Sequence, residues 1–370
     1  MHITKVNVCF GGYMKIIEKI ISLAGETNVK LNEPMAKHTT FKIGGAADIF
    51  VTPETKDALL GIIEFCKEEN IPVTVVGNGS NLLVSDDGID GVVICTEKIN
   101  YVNLENNVIT SGAGAFLAVV ANTAARESLT GLEFAAGIPG TVGGGTFMNA
   151  GAYGGELKDV IETVTAMDKD GNVKVFKTGD CGFGYRTSMF GGGYVILEVT
   201  FRLKKGNKEE ILDIMKDLSH RRRDKQPLEY PSAGSTFKRP KGYFAGKLIE
   251  DAGLKGFSVG GAEVSTKHAG FVINKGDATA SDIYNLCKAV EEKILELQER
   301  KRELADQILG GEQIGSGSSG LSGIKARRGG YLRLWIPWSE NALRLNALQD
   351  TIADPDAILR EVERIYASLV

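Results

Sequence analysis

The sequence predicts a mixed α/β protein, and two patterns support that prediction. Between residues 55 and 203, short apolar runs typical of strands alternate with segments whose apolar residues recur at helical spacing. Two glycine-rich stretches also carry large apolar residues, which indicates loops packed against a ligand and not flexible linkers. The chain has 370 residues, 43% of them hydrophobic, so it can bury a core and divide into two or three domains.

The order of elements follows from apolar spacing. Leu59, Ile62, Ile63 and Cys66 predict a helix over 55–70, which leads into a short buried strand at 71–76. Further strands are predicted at 92–95, 108–111, 160–167, 173–176, 194–203 and 270–273. Further helices are predicted at 117–127, 209–222 and 281–292.

Residues 137–155 are the most informative stretch of the chain. Eight of these nineteen residues are glycine, yet Ile138, Val142, Phe147 and Met148 stand among them. Glycine lets the backbone turn sharply and approach another group closely, while the apolar side chains must be buried. The stretch therefore predicts a cofactor-binding loop.

A second glycine-rich loop follows the predicted strand at 71–76. It reads Gly-Asn-Gly-Ser-Asn-Leu-Leu from Gly77 to Leu83, and Ser80 and Asn81 add uncharged hydrogen-bond donors. A strand followed by such a loop is typical of phosphate binding, although neither the P-loop nor the dinucleotide fingerprint is present. An ordinary strand-to-loop turn is the alternative.

Composition narrows the class of protein. The net charge of −4 gives no general attraction to nucleic acid or anionic membrane. The basic cluster at 221–225 is either a solvated helix end or a clamp for an anionic substrate. Five widely spaced cysteines lack metal spacing and are typical of reduced thiols in a cytosolic protein. We expect no metal, no membrane span and no signal peptide.

Two further segments offer groups for chemistry. Tyr185 and Arg186 lie in a segment loosened by glycine, where the alternative is an edge aromatic residue beside a solvated arginine. Ser235 follows Ala233 and Gly234 on a predicted tight turn, where a hydroxyl can donate a proton, although serine-rich turns are also common without any catalytic role. The histidines form no pattern of a nucleophilic triad.

The composition changes after residue 292. Residues 294–309 predict a charged amphipathic helix, and 315–320 are a flexible Gly/Ser linker. The module that follows contains Trp335, Trp338 and a predicted helix beginning at Asp354. About fifty residues is a marginal size for an independent fold, so we expect this module to dock on the main body or on a partner.

Several motifs together resemble the UDP-N-acetylenolpyruvoylglucosamine reductase family, in its shorter form, over residues 14–292. The motifs lie at 38–45 (HTTFKIGG), 77–83, 137–156, 182–190, 226–240, 247–256 and 268–274 (HAGFVIN). Residues 291–311 instead resemble the carboxy end of Swi/Snf-type DNA translocases, and 321–370 resemble no family. The chain is therefore interpreted as chimeric.

The resemblance implies a fold and its domains. It implies two FAD-binding subdomains of the vanillyl-alcohol-oxidase type and a third α+β substrate-binding domain, to which this chain adds a C-terminal helical tail. The expected division is an N-terminal extension at 1–13, FAD-binding subdomains at 14–97 and 98–205, a substrate-binding domain at 206–292, a charged helix at 293–314, the linker at 315–320 and a small module at 321–370.

The resemblance also implies the reaction. NADPH would reduce FAD, and the flavin would pass hydride to the enolpyruvyl group of a UDP-sugar, giving UDP-N-acetylmuramate for the bacterial cell wall, with its links to cell shape and division. Arg186 matches the family residue that stabilises the negative intermediate, and Ser235 matches the proton donor. Tyr185, Arg223 and Lys247 are candidates for substrate binding. The cofactor-binding candidates are Gly77, Asn78, Gly79, Ser80, Asn81, Leu82, Gly137, Gly140, Thr141, Gly143 and Gly144.

One departure from the family pattern predicts impaired turnover. The C-terminal glutamate that assists protonation in the family is not found, and the glutamates at 296, 299, 303 and 312 are interpreted as a solvated helix face. We expect a cytoplasmic flavoprotein that NADPH reduces and that the UDP-sugar reoxidises slowly. The alternative function is a flavin-binding scaffold whose C-terminal module binds a protein partner.

Overall fold

A computed structural model describes residues 10–240, 242–309 and 331–333. The described chain divides into two compact units. The first contains residues 10–234, 279–281 and 331–333, and the second contains the remaining described residues from 235 onward. Each unit has its own sheet structure, and the candidate site residues fall in both.

The first unit begins with helix α1 (Phe10–Ala24) and a mixed sheet. Its four strands are β1 (Val29–Pro34), β2 (Ala46–Val51), β3 (Val73–Val76) and β5 (Ile89–Cys95), and the short strand β4 (Leu82–Val84), between β3 and β5 in the chain, lies outside this sheet. The sheet order is β1-β2-β5-β3, with β1 antiparallel to β2 and the other two pairs parallel. Helix α2 (Lys56–Glu68) begins after Thr55, whose side chain accepts a hydrogen bond from the Ala58 amide.

Helices α1 and α2 cover one face of this sheet. Ile20 of α1 and Leu59 and Ile62 of α2 are fully buried in one cluster with Val92 and Ile94 of β5. The predicted helix at 55–70 is confirmed, and the predicted strand at 71–76 begins at Val73. Parallel pairing of β3 brings the following glycine loop out at the carboxyl end of the strand, beside the end of β5.

The rest of the first unit is built around an antiparallel sheet. Its chain order is β6 (Val102–Glu105), β7 (Val108–Gly112), α3 (Leu117–Arg126), β8 (Leu129–Thr130), α4 (Val142–Phe147), β9 (Gly151–Ala152), β10 (Gly155–Glu156), β11 (Ile161–Met167), β12 (Val173–Lys177), β13 (Val195–Arg202), β14 (Lys204–Lys205) and α5 (Lys208–Lys225). The main sheet has the order β12-β11-β13-β7-β6, and all neighbours in it are antiparallel.

The core of this part joins α3, α4 and the inner face of the sheet. Val120 and Ala124 of α3, Val142 of α4 and Val199 of β13 are buried together. The predicted strands and the helix at 117–127 are confirmed within a few residues. The α/β alternation of the sequence thus produces two adjoining sheets and not one continuous parallel sheet.

The second unit contains a small sheet and two helices. Helix α6 (Ala245–Asp251) precedes strands β15 (Ser258–Val259), β16 (Ala262–Val264) and β17 (Val272–Asn274), which pair in that order as antiparallel neighbours. Helix α7 (Ala280–Leu309) follows, with Ile283, Leu286, Cys287, Val290 and Ile294 buried.

The ends of the chain add two findings. Helix α7 runs without a break across the expected boundary at 292/293, and α1 runs across the one at 13/14. Strand β18 (Tyr331–Arg333) pairs antiparallel with β4, in the register Tyr331↔Val84 and Arg333↔Leu82. The Gly/Ser linker, both tryptophans, Glu312 and the predicted helix at Asp354 lie outside the described residues.

Candidate active site

The two predicted glycine-rich loops lie against each other in the first unit. The Asn78 side-chain amide donates to the Pro139 carbonyl at 2.7 Å. A Cβ atom added at Gly77 would stand 2.2 Å from the Thr141 hydroxyl oxygen, and one added at Gly140 would stand 3.8 Å from that of Ser80. A side chain at Gly77 would therefore force the loops apart, which explains the glycine there.

Each loop is fixed by its backbone. Gly79 has φ of +60°, and its Cβ would stand 2.0 Å from the His38 carbonyl oxygen, so two constraints exclude a side chain at this position. The Gly79 carbonyl accepts from the Thr40 amide at 3.3 Å. On the other loop, the Thr141 hydroxyl accepts from the Gly144 amide at 3.3 Å where α4 begins. The loops are thus held in shape before a ligand binds.

The backbone amides of these loops remain available for an anion. Within the described part of the chain, the amides of residues 77–81, Gly140 and Thr141 donate to no other residue. Successive amides of this kind form a concave site for phosphate oxygens, and glycine allows the phosphate to come close. The loops thus fit the diphosphate of a dinucleotide cofactor without a charged side chain of their own.

Helix α5 contacts the second loop through Arg222. The Arg222 guanidinium donates to the Gly137 carbonyl, and a Cβ at Gly137 would stand 3.3 Å from the Arg222 Cδ atom. Burial lowers the pKa of Arg222 below its usual value. Arg223, the predicted substrate contact, is exposed on the same helix. The sequence prediction did not separate these two neighbouring arginines.

Arg186 is held in a network of polar contacts. Its backbone has φ of 53°, a left-handed conformation that is uncommon for a non-glycine residue. One guanidinium nitrogen donates to the Gly151 carbonyl, and Nη1 lies 3.9 Å from Oε1 of Glu156. The Tyr185 ring centroid lies 5.4 Å from the Arg186 Cζ atom. The guanidinium of Arg186 is therefore held beside the end of the glycine-rich stretch. The Arg186 side chain is 23% exposed.

Glu156 is the centre of this network. The Asn149 side-chain amide donates to Glu156 Oε2 at 3.2 Å and to the Gly184 carbonyl at 2.9 Å, so it joins the two segments. Burial by itself would raise the pKa of Glu156, but the hydrogen bond and the charge of Lys158 outweigh burial and hold this pKa below its usual value. Glu156 is thus an anion at neutral pH beside the Arg186 cation.

The second unit contains Ser235 and Lys247. The exposed Ser235 donates its hydroxyl to the Gly270 carbonyl at 3.5 Å, and its backbone forms a single antiparallel bridge to Phe271. The exposed Lys247 forms an ion pair of 2.5 Å with Asp251 one turn along α6, and the hydrogen bond to Asp251 raises the Lys247 pKa. Both side chains are therefore accessible within their own unit.

Sequence reasoning missed several residues that the structure places around the predicted ones. Asn149 and Glu156 join the segments around Arg186, Arg222 contacts Gly137, and His268 accepts a hydrogen bond from the Gly270 amide. Asn149 lies inside the glycine-rich stretch and Glu156 directly follows it, so their polar character beside the glycines was the available signal. Arg222 belongs to the basic cluster at 221–225 and His268 begins the motif at 268–274, but only the tertiary contacts show which group each side chain touches.

The described residues contain neither a metal-binding cluster nor a membrane-spanning helix. No group of histidine, cysteine, aspartate or glutamate side chains within residues 10–240, 242–309 and 331–333 can hold a metal ion. Over the same ranges, every helix is too short or too polar to cross a membrane.

Two family models match the chain. An FAD binding domain model matches residues 47–177, which include both glycine-rich loops. The C-terminal domain model of UDP-N-acetylenolpyruvoylglucosamine reductase matches residues 226–301, which include Ser235, Lys247 and His268. The second match extends nine residues beyond the predicted limit of the resemblance at 292.

Individual relatives agree with these matches. The UDP-N-acetylenolpyruvoylglucosamine reductase of Clostridium novyi (strain NT) is 52% identical over 282 residues, covering 76% of this chain and 92% of the relative. That of Clostridium botulinum (strain Hall) is 49% identical over 301 residues, covering 81% and 98%. The solved structure of the Thermus caldophilus reductase has 38% identity and a TM-score of 0.63, and covers 71% and 94%.

The fold and the paired glycine loops, together with the FAD binding domain match, define the protein as an FAD-dependent flavoprotein. The extent of identity then decides the family. The chain belongs to the UDP-N-acetylenolpyruvoylglucosamine reductase family. The predictions of the family, of a mixed α/β fold and of FAD and NADPH as cofactors are confirmed. The vanillyl-alcohol-oxidase type of the FAD-binding subdomains and the remaining domain boundaries stay predictions.

Proposed function

We propose that the protein catalyses the NADPH-dependent reduction of UDP-N-acetylenolpyruvoylglucosamine to UDP-N-acetylmuramate in peptidoglycan synthesis. The observation that carries this proposal is the 52% identity to a reductase of that name over 92% of its length. The bound FAD would accept hydride from NADPH and deliver it to the enolpyruvyl double bond. The residues of this chain bind the reactants, stabilise charge and supply a proton.

The two glycine-rich loops are proposed to bind the FAD diphosphate. The proposed contacts come from the two loops, Gly77 to Leu82 and Gly137 to Gly144. They are the backbone amides that are not bonded elsewhere in the described part of the protein, together with the side chains of Asn78, Ser80, Asn81 and Thr141. The available amides of residues 77–81, Gly140 and Thr141 support this role, since phosphate oxygens accept hydrogen bonds from such loops. Because these side chains are uncharged, the partial positive charges of the loop amides would stabilise the diphosphate charge.

Arg186 is proposed to stabilise the intermediate electrostatically. Hydride addition to a carbon conjugated with a carboxylate leaves negative charge on that carboxylate system, and a fixed cation lowers its energy. The contacts to Glu156 and Gly151 support this role because they hold the guanidinium in place before the charge develops. A preorganised cation loses little energy to reorganisation during the reaction.

Ser235 is proposed to donate the proton to the carbon next to the site of hydride addition. The exposed hydroxyl can rotate away from the Gly270 carbonyl, because their 3.5 Å contact is long and weak. After donation, solvent can return a proton to the serine oxygen. General acid catalysis of this kind contributes about 10²- to 10⁴-fold in rate.

Tyr185, Arg223 and Lys247 are proposed to bind the UDP-sugar. Arginine and lysine form charge-assisted hydrogen bonds with phosphate or carboxylate, and all three side chains are exposed. Lys247 would exchange its ion pair with Asp251 for the substrate. This exchange costs little, because water already solvates both exposed side chains and screens their attraction.

The expected impairment remains a prediction. Helix α7 continues through the region after 292, and Glu296 and Glu299 are exposed on it. The matches cover 92% and 98% of two relatives, which gives no support to a loss of activity. The role of the C-terminal module as a partner-binding surface also remains a prediction.

We propose a cytoplasmic location for this activity, with consequences for cell-wall biogenesis, cell shape and cell division. The four described cysteines, at 66, 95, 181 and 287, are unpaired buried thiols. Unpaired thiols are typical of a reducing compartment. A small-molecule UDP-sugar is the proposed partner, and neither nucleic acid nor membrane is part of the proposal.

Anaerobic half-reactions test the proposed function. The purified protein should show the absorbance of bound FAD, NADPH should bleach it, and UDP-N-acetylenolpyruvoylglucosamine should restore it with formation of UDP-N-acetylmuramate. Colourless protein that gains no absorbance with added FAD would overturn the flavoprotein assignment. Flavin that NADPH bleaches and the UDP-sugar never restores would overturn the proposed substrate.

A further inference from the structure

The Gly270 peptide links Ser235 to the turn that contains His268. The Gly270 carbonyl accepts the Thr236 amide at 2.9 Å and the Ser235 hydroxyl at 3.5 Å. Ser235 also bridges Phe271 through the backbone. Gly270 therefore positions the backbone next to Ser235 and also gives the Ser235 hydroxyl an acceptor.

His268 fixes the amide of the same residue, Gly270. Its Nδ1 atom accepts a hydrogen bond from the Gly270 amide at 3.0 Å, which requires Nδ1 to be unprotonated. The ring also packs edge-on against Phe271, with centroids 4.9 Å apart. Gly270 is buried, so its amide would be left without this acceptor and shielded from water if the His268 side chain could not accept.

The His268 ring and the Ser235 hydroxyl both lie on the side of Gly270 where a side chain would project. A Cβ atom added there would lie 2.9 Å from the His268 Cε1 atom and 3.4 Å from the Ser235 hydroxyl oxygen. The absence of a side chain at Gly270 therefore lets the imidazole and the hydroxyl both approach this peptide. The turn is further closed by the Phe271 amide, which donates to the His268 carbonyl at 2.9 Å.

We propose that His268 is a positioning residue for Ser235. Its Nδ1 atom holds the Gly270 amide, and the carbonyl of the same residue accepts from the Ser235 hydroxyl between turnovers. His268 itself neither contacts the substrate nor transfers a proton in this proposal. The inference rests on the proposed function, because it assigns His268 to the protonation step and not to flavin binding or flavin reduction.

Two substitutions at His268 test the hydrogen-bond acceptor and the ring packing independently. His268→Asn keeps an acceptor, because an asparagine side chain commonly accepts from the amide two residues later. His268→Phe keeps a ring against Phe271 but removes the acceptor. We expect reoxidation of reduced flavin by the UDP-sugar to slow on the order of 10- to 100-fold in His268→Phe, with KM nearly unchanged, and to stay within about 3-fold of the parent in His268→Asn.

Further measurements distinguish positioning from a general structural role. NADPH should reduce the flavin of both variants at the parent rate, and hydrogen exchange at the Gly270 amide should accelerate only in His268→Phe. In a Ser235→Ala background, His268→Phe should cause no further loss, since it acts through the missing hydroxyl. His268→Leu, which also lacks an acceptor, replaces His268→Phe if that variant does not fold.

Three results would overturn the inference. The first is an equal fall in the reoxidation rate in His268→Asn and His268→Phe. The second is an additive fall in that rate when His268→Phe is combined with Ser235→Ala. The third is a reoxidation rate equal to that of the parent in a variant without an acceptor at position 268. A parent protein whose flavin the UDP-sugar never reoxidises would instead overturn the proposed function, so the two failures are distinguishable.

Discussion

Arg186 and Ser235, the two proposed catalytic residues, are held in different ways. Arg186 has a left-handed backbone conformation, donates to the Gly151 carbonyl and faces Glu156, which is itself bound by Asn149 and Lys158. Ser235 is exposed and its hydroxyl has one long hydrogen bond in its own unit. The cation is tightly held, while the hydroxyl is loosely held.

This difference matches what the two steps require. Electrostatic stabilisation works best when the charge is fixed before the reaction, because reorganisation then costs little. A proton donor must instead release its hydrogen and recover another, so a hydroxyl that can rotate and reach solvent is suitable. We therefore expect substitutions around Arg186 to change the rate by moving the guanidinium, and substitutions at Ser235 to change it by removing the proton donor.

The largest effect is expected for Ser235→Ala. Reoxidation of the reduced flavin by the UDP-sugar should fall by about 10²- to 10⁴-fold, because the proton donor is lost, while reduction by NADPH should keep its rate. Stopped-flow absorbance measures both half-reactions. Ser232→Ala, three residues earlier, is the matched control and should behave as the parent. An equal loss in both half-reactions would contradict the proposed role of Ser235.

Next in size is the effect of substitution at Arg186. Arg186→Gln should slow reoxidation by about 10²- to 10³-fold, because a charge stabiliser is removed. Arg186→Lys should recover part of this loss, since lysine keeps the charge but not the planar geometry. Single-turnover rates with the UDP-sugar test both variants. Full activity in Arg186→Lys would show that the geometry of the network around Arg186 does not matter.

A smaller effect is expected where the two glycine loops touch. Gly77→Ala places a Cβ atom 2.2 Å from the Thr141 hydroxyl oxygen, so the loops must separate and FAD affinity should fall by about 1–3 kcal/mol. Flavin absorbance per protein after dialysis measures the loss. Gly179→Ala is the matched control, because nothing lies within 4 Å of its Cβ. Equal flavin content in both variants would mean that the loops do not bind FAD.

The anionic side of the Arg186 network predicts a pH dependence. The pKa of Glu156 in the folded protein lies below its usual value of about 4.3. The stability that Glu156 contributes is therefore complete above that usual value, which applies in the unfolded chain. It is lost as the pH falls through the folded pKa. Glu156→Gln should lower the free energy of unfolding at neutral pH by less than about 1 kcal/mol and flatten its dependence on pH below that value. Urea unfolding at several pH values checks this, with Glu162→Gln as the control. If the free energy of unfolding falls with decreasing pH equally in Glu156→Gln and in the parent, Glu156 does not contribute to this pH dependence.

The smallest effect is expected from the C-terminal tail. Deletion of residues 314–370 removes β18, the strand paired with β4 next to the first glycine loop. Flavin release should become faster by a factor of about 2 to 5, corresponding to less than about 1 kcal/mol for one short strand pair. Fluorescence of released FAD measures the rate. If release is unchanged and a bound protein is lost instead, the partner-binding alternative is supported.

The sequence was sufficient for most secondary structure and for both glycine loops. Helix α2 and strand β5 could be predicted because apolar periodicity is a local property. The predictions were less complete where neighbouring residues share the same chemistry. Arg222 and Arg223 look alike in the sequence, and only the approach of α5 to Gly137 selects Arg222. Likewise, nothing near His268 in the sequence indicates its contact with the Gly270 amide.

By itself, the sequence determined the kind of protein this is. Its apolar periodicity defined the elements, and its motifs, read together, indicated the family, the flavin and the residues that carry the chemistry. The tertiary structure decided which polar groups meet. It brought Gly77 to Thr141, Arg186 to Glu156, and the Gly270 peptide between His268 and Ser235. These contacts join residues through backbone turns and close packing, and their geometry depends on the whole fold and not on local spacing.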